Sequence, residues 1–316
     1  MDNISLFTVF TLSELKDKMS VKHTYFALSL LVYLLIIVVN LILIVTILLE
    51  KTLHEPMYIF LCNLCINGLF GTAGFYPKFL SDLISDSSFI SRSGCFLQFF
   101  VIYTSVVCEF TTLTVMAYDR YVAICRPLDY HSIMTTRTVV YLLLFSWLLP
   151  AFSSSIAVLL TNRLSLCGSH IEKLYCDNWS IVKLSCETTF INNIYGLVLI
   201  IGYCSLVVFI ISSYTKLIAA CIKSTESKAK FTHTCMPHLL SLINFTLALL
   251  FDTMYVRYGL KDVPQSLRNF LALEFLIIPP LFNPFIYGLK LTEVRKRALR
   301  AVKVKVTDHF YSVKKR

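Results

Sequence analysis

Two oppositely charged neighbours, Asp119 and Arg120, stand at the end of a long apolar stretch of the chain. Charged side chains are costly at membrane depth, and those found there usually serve a function. The guanidinium of an arginine is a permanent cation, and an adjacent carboxylate is a natural partner for it. The pair therefore predicts an ion pair with a functional role. A salt bridge that only anchors its helix is the alternative.

A third charged residue, Glu109, lies in the middle of the same stretch, 11 residues before Arg120. That separation corresponds to about 16 Å along a helix. A carboxyl group at such depth either helps to hold a cation or a proton, or stays protonated and donates one hydrogen bond to a neighbouring helix. The residue types alone leave both alternatives open.

The elements that must position these residues are long apolar segments. Of the 316 residues, 56% are hydrophobic and 15% are charged, whereas a soluble domain carries about 25% charged residues. A helix of about 20 or more apolar residues crosses a hydrocarbon core of about 30 Å and satisfies its own backbone groups in lipid. We therefore predict an all-α membrane protein, a seven-helix bundle within residues 25–289. The predicted spans are residues 25–49, 57–82, 95–121, 139–160, 191–219, 234–255 and 266–289.

The two ends of the chain differ from the bundle in charge. Residues 290–316 carry ten of the 29 lysines and arginines, and alternate loops place 18 basic residues on that side of the membrane. Basic loops remain in the cytoplasm, so we expect the C-terminus inside and the N-terminal tail, residues 1–24, outside. Residues 291–302 have the amphipathic, basic pattern of a helix that lies on a lipid surface. Basic charge at membrane edges also argues against a nucleic-acid partner.

The predicted outer side carries residues that are modified outside the cell. Asn3 begins an Asn-Ile-Ser glycosylation acceptor, although such tripeptides also occur by chance. Four of the eleven cysteines, Cys95, Cys167, Cys176 and Cys186, fall at outer ends of spans or in the outer loop, where disulfides form. Four cysteines permit three pairings. The nine- and ten-residue spacings within the loop are too long for the paired ligands of a zinc site, so no metal site is predicted.

Several short motifs, in order along the chain, resemble those of odorant receptors, a branch of the rhodopsin-like (class A) G-protein-coupled receptors. The variant at residues 66–78 looks more like fish odorant receptors than mammalian ones. The other motifs are Pro56-Met57-Tyr58, Asp119-Arg120-Tyr121, Ser213-Tyr214, Cys235-Met236-Pro237-His238 and Asn283-Pro284-Phe285-Ile286-Tyr287.

The resemblance implies a multi-pass receptor of the plasma membrane. It would bind a small odorant and activate a heterotrimeric G protein of the olfactory stimulatory type, which raises cyclic AMP. A receptor of the same family that serves a non-olfactory tissue is the alternative. We expect membrane lipid as the other partner, no cofactor and no enzymatic activity. Motifs of metalloproteases, serine hydrolases and phosphate-binding loops do not occur in the sequence.

The resemblance also implies which residues couple to the G protein. In the family, the arginine matched by Arg120 pairs with the preceding acid at rest and then turns toward the G protein. Tyrosines matched by Tyr214 and Tyr287 approach it in the active state. Pro284 removes a backbone hydrogen bond from the seventh helix, and the adjacent Asn283 satisfies freed groups. The full switch set is Asp119, Arg120, Tyr121, Tyr214, His238, Asn283, Pro284 and Tyr287.

Two structural assignments follow from the same resemblance. By match to the family, Cys95 pairs with Cys176, and Cys167 pairs with Cys186 within the outer loop. The acid usual in the second helix of rhodopsin-like receptors is replaced by Gly68. This replacement weakens the case for sodium regulation. Asn40, Glu109 and Asn283 could still form a polar cluster that holds a cation or a proton, with a single hydrogen bond from a protonated Glu109 as the alternative.

The ligand is expected in a small, mostly apolar pocket in the outer half of the bundle. At each position matched to the family's pocket, ordinary core packing is the alternative. Tyr103 and Thr253 would supply hydrogen bonds, and Gly202 would supply room. The matched positions are Ile102, Tyr103, Val106, Val107, Val198, Leu199, Gly202, Leu249, Leu250, Thr253, Leu273 and Leu276.

Overall fold

Five long apolar helices dominate the part of the chain that the structure describes. The structure is a computed structural model and describes residues 8–14, 19–85, 88–222, 239–243, 246–247, 273 and 276–286. Each of the five is long and apolar enough to cross a membrane, and each contains one of the first five predicted spans. They are α1 (Met19–Leu49), α2 (Pro56–Ile84), α3 (Arg92–Cys125), α5 (Thr136–Asn162) and α7 (Phe190–Ile222).

The remaining described elements are short. Helices α4 (Tyr130–Ile133) and α6 (Asn178–Val182) lie in the loops after α3 and α5, and single 3₁₀ turns cover Lys51–Leu53 and Pro127–Asp129. The segment Leu276–Ile286, within the seventh predicted span, is helical. Most of the sixth span, the rest of the seventh and the amphipathic residues 291–302 lie outside the described residues.

The long helices extend beyond the apolar runs that predict them. α3 begins at Arg92, where the Ser91 hydroxyl accepts a hydrogen bond from the Gly94 N–H. α5 begins after Thr135, whose hydroxyl accepts from the Thr138 N–H. Side-chain caps of this kind decide where a helix begins. Hydropathy marks only the part that crosses lipid, so the predicted boundaries were short by up to six residues at the start of α1.

A small sheet lies at the end of the bundle where α3 begins and was not predicted. It has the order β2-β1-β3. Strand β1 (Val9–Leu12) pairs antiparallel with β2 (Phe89–Ser91) and parallel with β3 (His170–Ile171). Residues 9–12, within the predicted N-terminal tail, are thus the central strand of a small sheet that accompanies the predicted helix bundle. The partner strands lie far away in sequence, and a local pattern of four residues does not reveal them.

Three clusters of buried apolar side chains connect these elements. The inner cluster joins α1, α2, α3, α5 and α7, and includes Leu61, Leu113 and Tyr214. The lid cluster joins the sheet and outer loop to α3, and includes Phe10, Phe99 and Cys176. The outer cluster joins α1, α2, α3, the outer loop and the segment Leu276–Ile286; its buried members are Ile36, Phe75, Tyr76, Phe79, Leu80, Leu83, Ile102, Leu174, Tyr175 and Leu276.

The helices α2 and α3 approach each other closely because two glycines face α3. A Cβ on Gly71 would overlap the Ser105 side chain, and one on Gly74 would lie 2.6 Å from Val101 Cγ1. Next to this contact, the Asn67 amide donates a hydrogen bond of 2.9 Å to the Ser105 carbonyl. Small residues allow helix backbones in lipid to pack in this way, since packing and hydrogen bonds replace the hydrophobic effect there. The contact fixes α3 at the centre of the bundle.

Candidate functional site

The inner end of α3 carries a buried ion pair. The Asp119 side chain is fully buried, and Arg120 is 9% exposed. Arg120 donates to Asp119 Oδ2 through Nε at 2.9 Å and through a second guanidinium nitrogen. Two donors from one planar group give a directional pair that holds the arginine side chain against its own helix. The predicted partner of Arg120 is therefore in contact with it.

The second carboxylate oxygen of Asp119 has a partner from the loop that follows α3. The Tyr130 hydroxyl, in α4, donates to Asp119 Oδ1 at 2.8 Å. Burial and the neighbouring negative charge of Asp119 raise the pKa of Tyr130 above its ordinary value, so the phenol remains a donor throughout the physiological pH range. Asp119 thus bridges the arginine of its own helix and the loop that follows α3.

A second polar contact lies in the middle of α3. The Asn283 amide donates to Glu109 Oε1 at 2.9 Å, and both side chains are buried. Asn283 lies next to the buried Pro284 in the segment Leu276–Ile286. The hydrogen bond therefore joins α3 to the seventh span beside Pro284. Glu109 and Asn283, two of the three residues of the predicted polar cluster, are in contact.

The third member of that cluster contacts the seventh span at a different place. The Asn40 amide, in α1, donates to the carbonyls of Ile36 and Pro280, each at 2.8 Å. Its side-chain oxygen faces Gly68, because a Cβ added there would lie 3.7 Å from it. Asn40 and Glu109 therefore contact the same short helical segment at positions three residues apart, Pro280 and Asn283. Among the described residues, no group of three or more His, Cys, Asp or Glu side chains is arranged to hold a metal ion.

The outer end of α3 lies beneath a loop held by two disulfides. Cys95 is bonded to Cys176, and Cys167 to Cys186, the pairing that the resemblance implied. The first bridge closes a loop across 81 residues, which in the chain-entropy model removes roughly 4–5 kcal/mol of unfolded-state entropy. It places Leu174 and Tyr175, just before Cys176, against the outer cluster. The loop is therefore a fixed lid.

Part of the predicted ligand set converges under this lid. Ile102 and Leu276 are buried in the outer cluster, and Val106 and Leu273 pack against it. Val107, the residue after Val106 on α3, is also buried. These residues come from α3 and the seventh span, which meet at the level of Tyr175. These residues could form the wall of a ligand pocket or belong to the packed core of the bundle.

The other predicted ligand residues do not join that cluster. Tyr103 is 37% exposed and stacks edge-on against Phe99. Val198 is 57% exposed, Leu199 is half-buried, and a Cβ on Gly202 would meet no atom within 4 Å. Outside the described residues lie Leu249, Leu250 and Thr253, together with His238, Tyr287 and Asn3.

Comparison with known proteins identifies the family. A family model described as olfactory receptor matches residues 29–305. Olfactory receptor 1468 of rat is 33% identical over 317 residues, covering 97% of this chain and 98% of that protein. Olfactory receptor 5K1 of human is 37% identical over 305 residues, covering 93% and 96%. This chain belongs to the olfactory receptor family.

Family membership confirms the broad predictions. The chain is a seven-helix olfactory receptor, a multi-pass protein of the plasma membrane and not an enzyme. The particular likeness to fish receptors stays a prediction.

The olfactory receptor also has site residues that the sequence analysis did not identify. Tyr130 is one, and the signal for it was an aromatic residue in a short polar loop directly after the charged motif. Gln98 is another: its amide donates to the Gly74 carbonyl at 3.1 Å, and its oxygen accepts from the Cys176 N–H at 2.9 Å. A polar residue one turn inside a span was a signal for a buried hydrogen bond. Gln98 connects α2, α3 and the lid.

A third such group fixes α3 against its neighbours in the inner half. The Trp147 indole, in α5, donates to Asn63 Oδ1 at 2.6 Å, and the Asn63 amide donates to Thr112 at 3.0 Å. Thr111 donates to the Ser146 carbonyl at 3.1 Å. Buried polar side chains that satisfy one another in this way hold helices in a single register. α3 is thus hydrogen-bonded through buried side chains to both α2 and α5.

Proposed function

We propose that this olfactory receptor binds a small odorant in the outer half of its bundle and activates a heterotrimeric G protein of the olfactory stimulatory type, raising cyclic AMP. The observation that carries the proposal is the arrangement along α3. An apolar cluster under a disulfide-held lid lies at one end of this 34-residue helix, and a buried ion pair lies at the other. One element thus links a site suited to an apolar ligand with a charged site suited to a cytoplasmic partner.

The proposed ligand contacts are mainly apolar. Ile102 and Leu276 offer carbon surface from two different helices, and Tyr175 covers them from the lid. Burial of a small odorant here would be favourable by about 25 cal/mol for each Å² of apolar surface removed from water. A ligand that wedges between these side chains changes the distance between α3 and the seventh span. We include in the site the matched positions on the fifth and sixth spans, since a pocket between helices needs walls from all of them.

The proposed transmission runs through the middle of the bundle. Glu109 and Asn283 join α3 to the seventh span beside Pro284. A proline removes one backbone hydrogen bond, so the helix bends there at lower cost than elsewhere. Movement of the seventh span breaks or remakes the Glu109–Asn283 bond. The inner end then rearranges, and Arg120 leaves Asp119 for the G protein.

The proposed orientation places the sheet outside the cell. Both disulfides lie at the end of the bundle that carries the sheet, and disulfides persist in oxidising compartments. The opposite end carries Asp119 and α4, where the G protein would bind. We therefore propose an extracellular N-terminal part that is glycosylated at Asn3, a bundle within residues 25–289, and a cytoplasmic basic tail in residues 290–316.

A cyclic-AMP reporter assay tests the proposal. Cells that carry the olfactory stimulatory G protein and an epitope-tagged receptor are screened against neutral and charged odorants, with surface staining in parallel. We expect the wild type to respond to at least one ligand class and Arg120→Ala to lose the response at equal surface level. Arg137→Ala is the matched control, because Arg137 is an exposed arginine on the same side. A response that persists in Arg120→Ala would contradict the switch role of this residue.

A further inference from the structure

A buried tyrosine hydroxyl in the outer cluster has no hydrogen-bond partner among the described residues. Tyr76, in α2, is 1% exposed, and its hydroxyl oxygen is shielded from solvent. A buried tyrosine normally places its hydroxyl against a donor or an acceptor. A polar group that leaves water without gaining such a partner destabilises the fold, so each one in a native protein requires an explanation. A ligand that supplies the partner is such an explanation.

Aromatic contacts fix the ring that carries this hydroxyl. Tyr33 of α1 stacks on the Tyr76 ring, with the ring centroids 4.6 Å apart and the planes at 11°. Phe75 meets it in edge contact at 5.3 Å. Side chains packed in this way keep one rotamer, because a turn of the ring would break both contacts. The hydroxyl therefore stays at one place inside the cluster.

The same cluster contains the described part of the proposed ligand site. Ile102 of α3 and Leu276 of the seventh span are buried members of it, and so is Tyr175 of the lid. Tyr76 is not one of the positions matched to the family's pocket. Its hydroxyl nevertheless lies among the apolar side chains that we propose as ligand contacts, and it is a polar group there with its hydrogen-bonding capacity unused.

The charges around the cluster argue against an anionic ligand. No charged side chain belongs to the described part of the outer cluster. Lys173, in the lid, lies 3.9 Å from Asp177 Oδ2 and donates to the Tyr175 hydroxyl at 3.4 Å. A carboxylate ligand would have to compete with Asp177 for this ammonium group, and a buried charge without a partner is costly.

The hydrogen-bonding capacity of the ligand is limited in the same way. An alcohol brings both a donor and an acceptor, and each of them needs a partner once it is buried. A carbonyl oxygen brings an acceptor alone. One unpaired phenol O–H satisfies one carbonyl oxygen completely. The outer cluster therefore suits an uncharged carbonyl compound better than an acid or an alcohol.

A small cavity borders the outer cluster at its outer end. Phe79, Leu83 and Leu174 of the cluster form one side of it, and its other side is polar and includes Glu14. Its volume is about 20 Å³, which is room for one water molecule. Phe79 stacks on Phe75 at 4.9 Å, the residue next to Tyr76. This side of the cluster thus leads from the outer end toward the hydroxyl, and a larger molecule that enters here moves the Leu174 side chain.

We propose that the odorant is a small uncharged carbonyl compound and that the Tyr76 hydroxyl donates a hydrogen bond to its carbonyl oxygen. This assignment rests on the proposed function for the location of the site, and it adds the chemical class of the ligand. The hydroxyl is unpaired in the empty receptor and paired in the bound one. A site built in this way discriminates strongly against an analogue that lacks the polar group, whereas a purely apolar pocket does not.

Thermal unfolding of the detergent-purified, full-length receptor tests the proposal without a G protein. The probes are small ketones of graded length. Each is compared with the alkene in which a methylene group replaces the carbonyl oxygen, and with the carboxylate of equal length. We expect at least one ketone to raise the melting temperature of the wild type at about tenfold lower concentration than its alkene. Tyr76→Phe should remove this preference. Tyr33→Phe, which removes the hydroxyl of the ring stacked on Tyr76, is the matched control and should keep it.

The unliganded variants supply a second measurement. We expect Tyr76→Phe to melt no lower than the wild type, because the substitution removes an unpaired polar atom and keeps the ring. A melting temperature several degrees lower would show that the hydroxyl has a structural partner, and would overturn the proposal. Two other results would also overturn it: a wild type in which no ketone binds more tightly than its alkene and its carboxylate, or a Tyr76→Phe receptor that keeps the preference for ketones.

Failure of the proposed function gives a different result. Ketone binding that depends on Tyr76 but produces no cyclic-AMP response in cells would count against coupling to the stimulatory G protein. The same result would support the assignment of the ligand class, since binding to the purified receptor does not require that coupling.

Discussion

At the scale of single residues, the receptor depends on a few buried polar contacts. Asp119 receives hydrogen bonds from Arg120 and from Tyr130, and it is fully buried. A buried carboxylate needs hydrogen-bond donors on both of its oxygens, because an unpaired charge away from water is costly. The loop tyrosine therefore stabilises the ion pair. In the proposed switch, a change at any of the three residues alters how readily Arg120 leaves its partner.

Asp119→Asn should raise basal activity. The substitution removes the charge that holds Arg120, and the loss of one partner from a buried pair costs about 3–5 kcal/mol in the state that contains it. We expect basal cyclic AMP to rise several-fold at equal surface level. The control is Asp129→Asn, at an exposed carboxylate in the same loop region. Basal cyclic AMP that stays at the wild-type level would show that the pair only anchors the helix.

At the scale of elements, close packing and buried hydrogen bonds hold α3 against its neighbouring helices. α2 lies close to it through Gly71 and Gly74, and α5 is fixed by the Asn63–Trp147 hydrogen bond. Helices in lipid gain little from hydrophobic association, so backbone proximity and internal hydrogen bonds carry the packing. The position of α3 relative to α2 therefore depends on the small size of Gly71 and Gly74.

Gly71→Ala should destabilise the receptor, whereas Gly202→Ala should not. The new methyl at position 71 overlaps Ser105, while the one at position 202 meets no atom within 4 Å. Overpacking costs about 1–3 kcal/mol, and alanine at an unhindered helical site is about 1 kcal/mol more favourable than glycine. The melting temperature of the detergent-purified receptor and its surface expression report the difference. Equal stability of the two variants would mean that α2 and α3 move apart without cost.

At the scale of the whole molecule, the start of the chain completes the outer end of the bundle. The central strand β1 connects β2, which precedes α3, with β3 in the outer loop. Phe10 and Leu12 are buried in the lid cluster beside the Cys95–Cys176 bridge. The N-terminal strand is therefore part of the lid, and the lid forms only when three distant parts of the chain meet. Its assembly is coupled to that of the helices.

Phe10→Ala should impair assembly of the outer end. Removal of a fully buried phenylalanine costs about 3–5 kcal/mol, and the lid would lose its fit to the disulfide loop. We expect reduced surface expression and a lower melting temperature. Val9→Ala, at a neighbouring residue that is 45% exposed, is the control. If both variants behave like the wild type, β1 contributes nothing to the lid.

The sequence by itself determined the features that depend on local composition and on single motifs. Apolar runs predicted five helices that the structure contains, because crossing lipid requires continuous apolar residues wherever they occur in the chain. The adjacent Asp119 and Arg120 are an ion pair, since neighbours in a sequence stay neighbours in any fold. Glu109 and Asn283 were expected together only through the family resemblance.

The tertiary structure alone decided the features that depend on distant contacts. The three-stranded sheet and the hydrogen bond between Gln98 and the Cys176 N–H each join parts of the chain that lie far apart. Gln98 and Cys176, for example, are separated by 78 residues. Tyr130 is near Asp119 in sequence, but only the turn after Pro127 brings its hydroxyl to the carboxylate. Contacts of this kind arise from packing among whole helices, and no residue pattern in one segment contains that information.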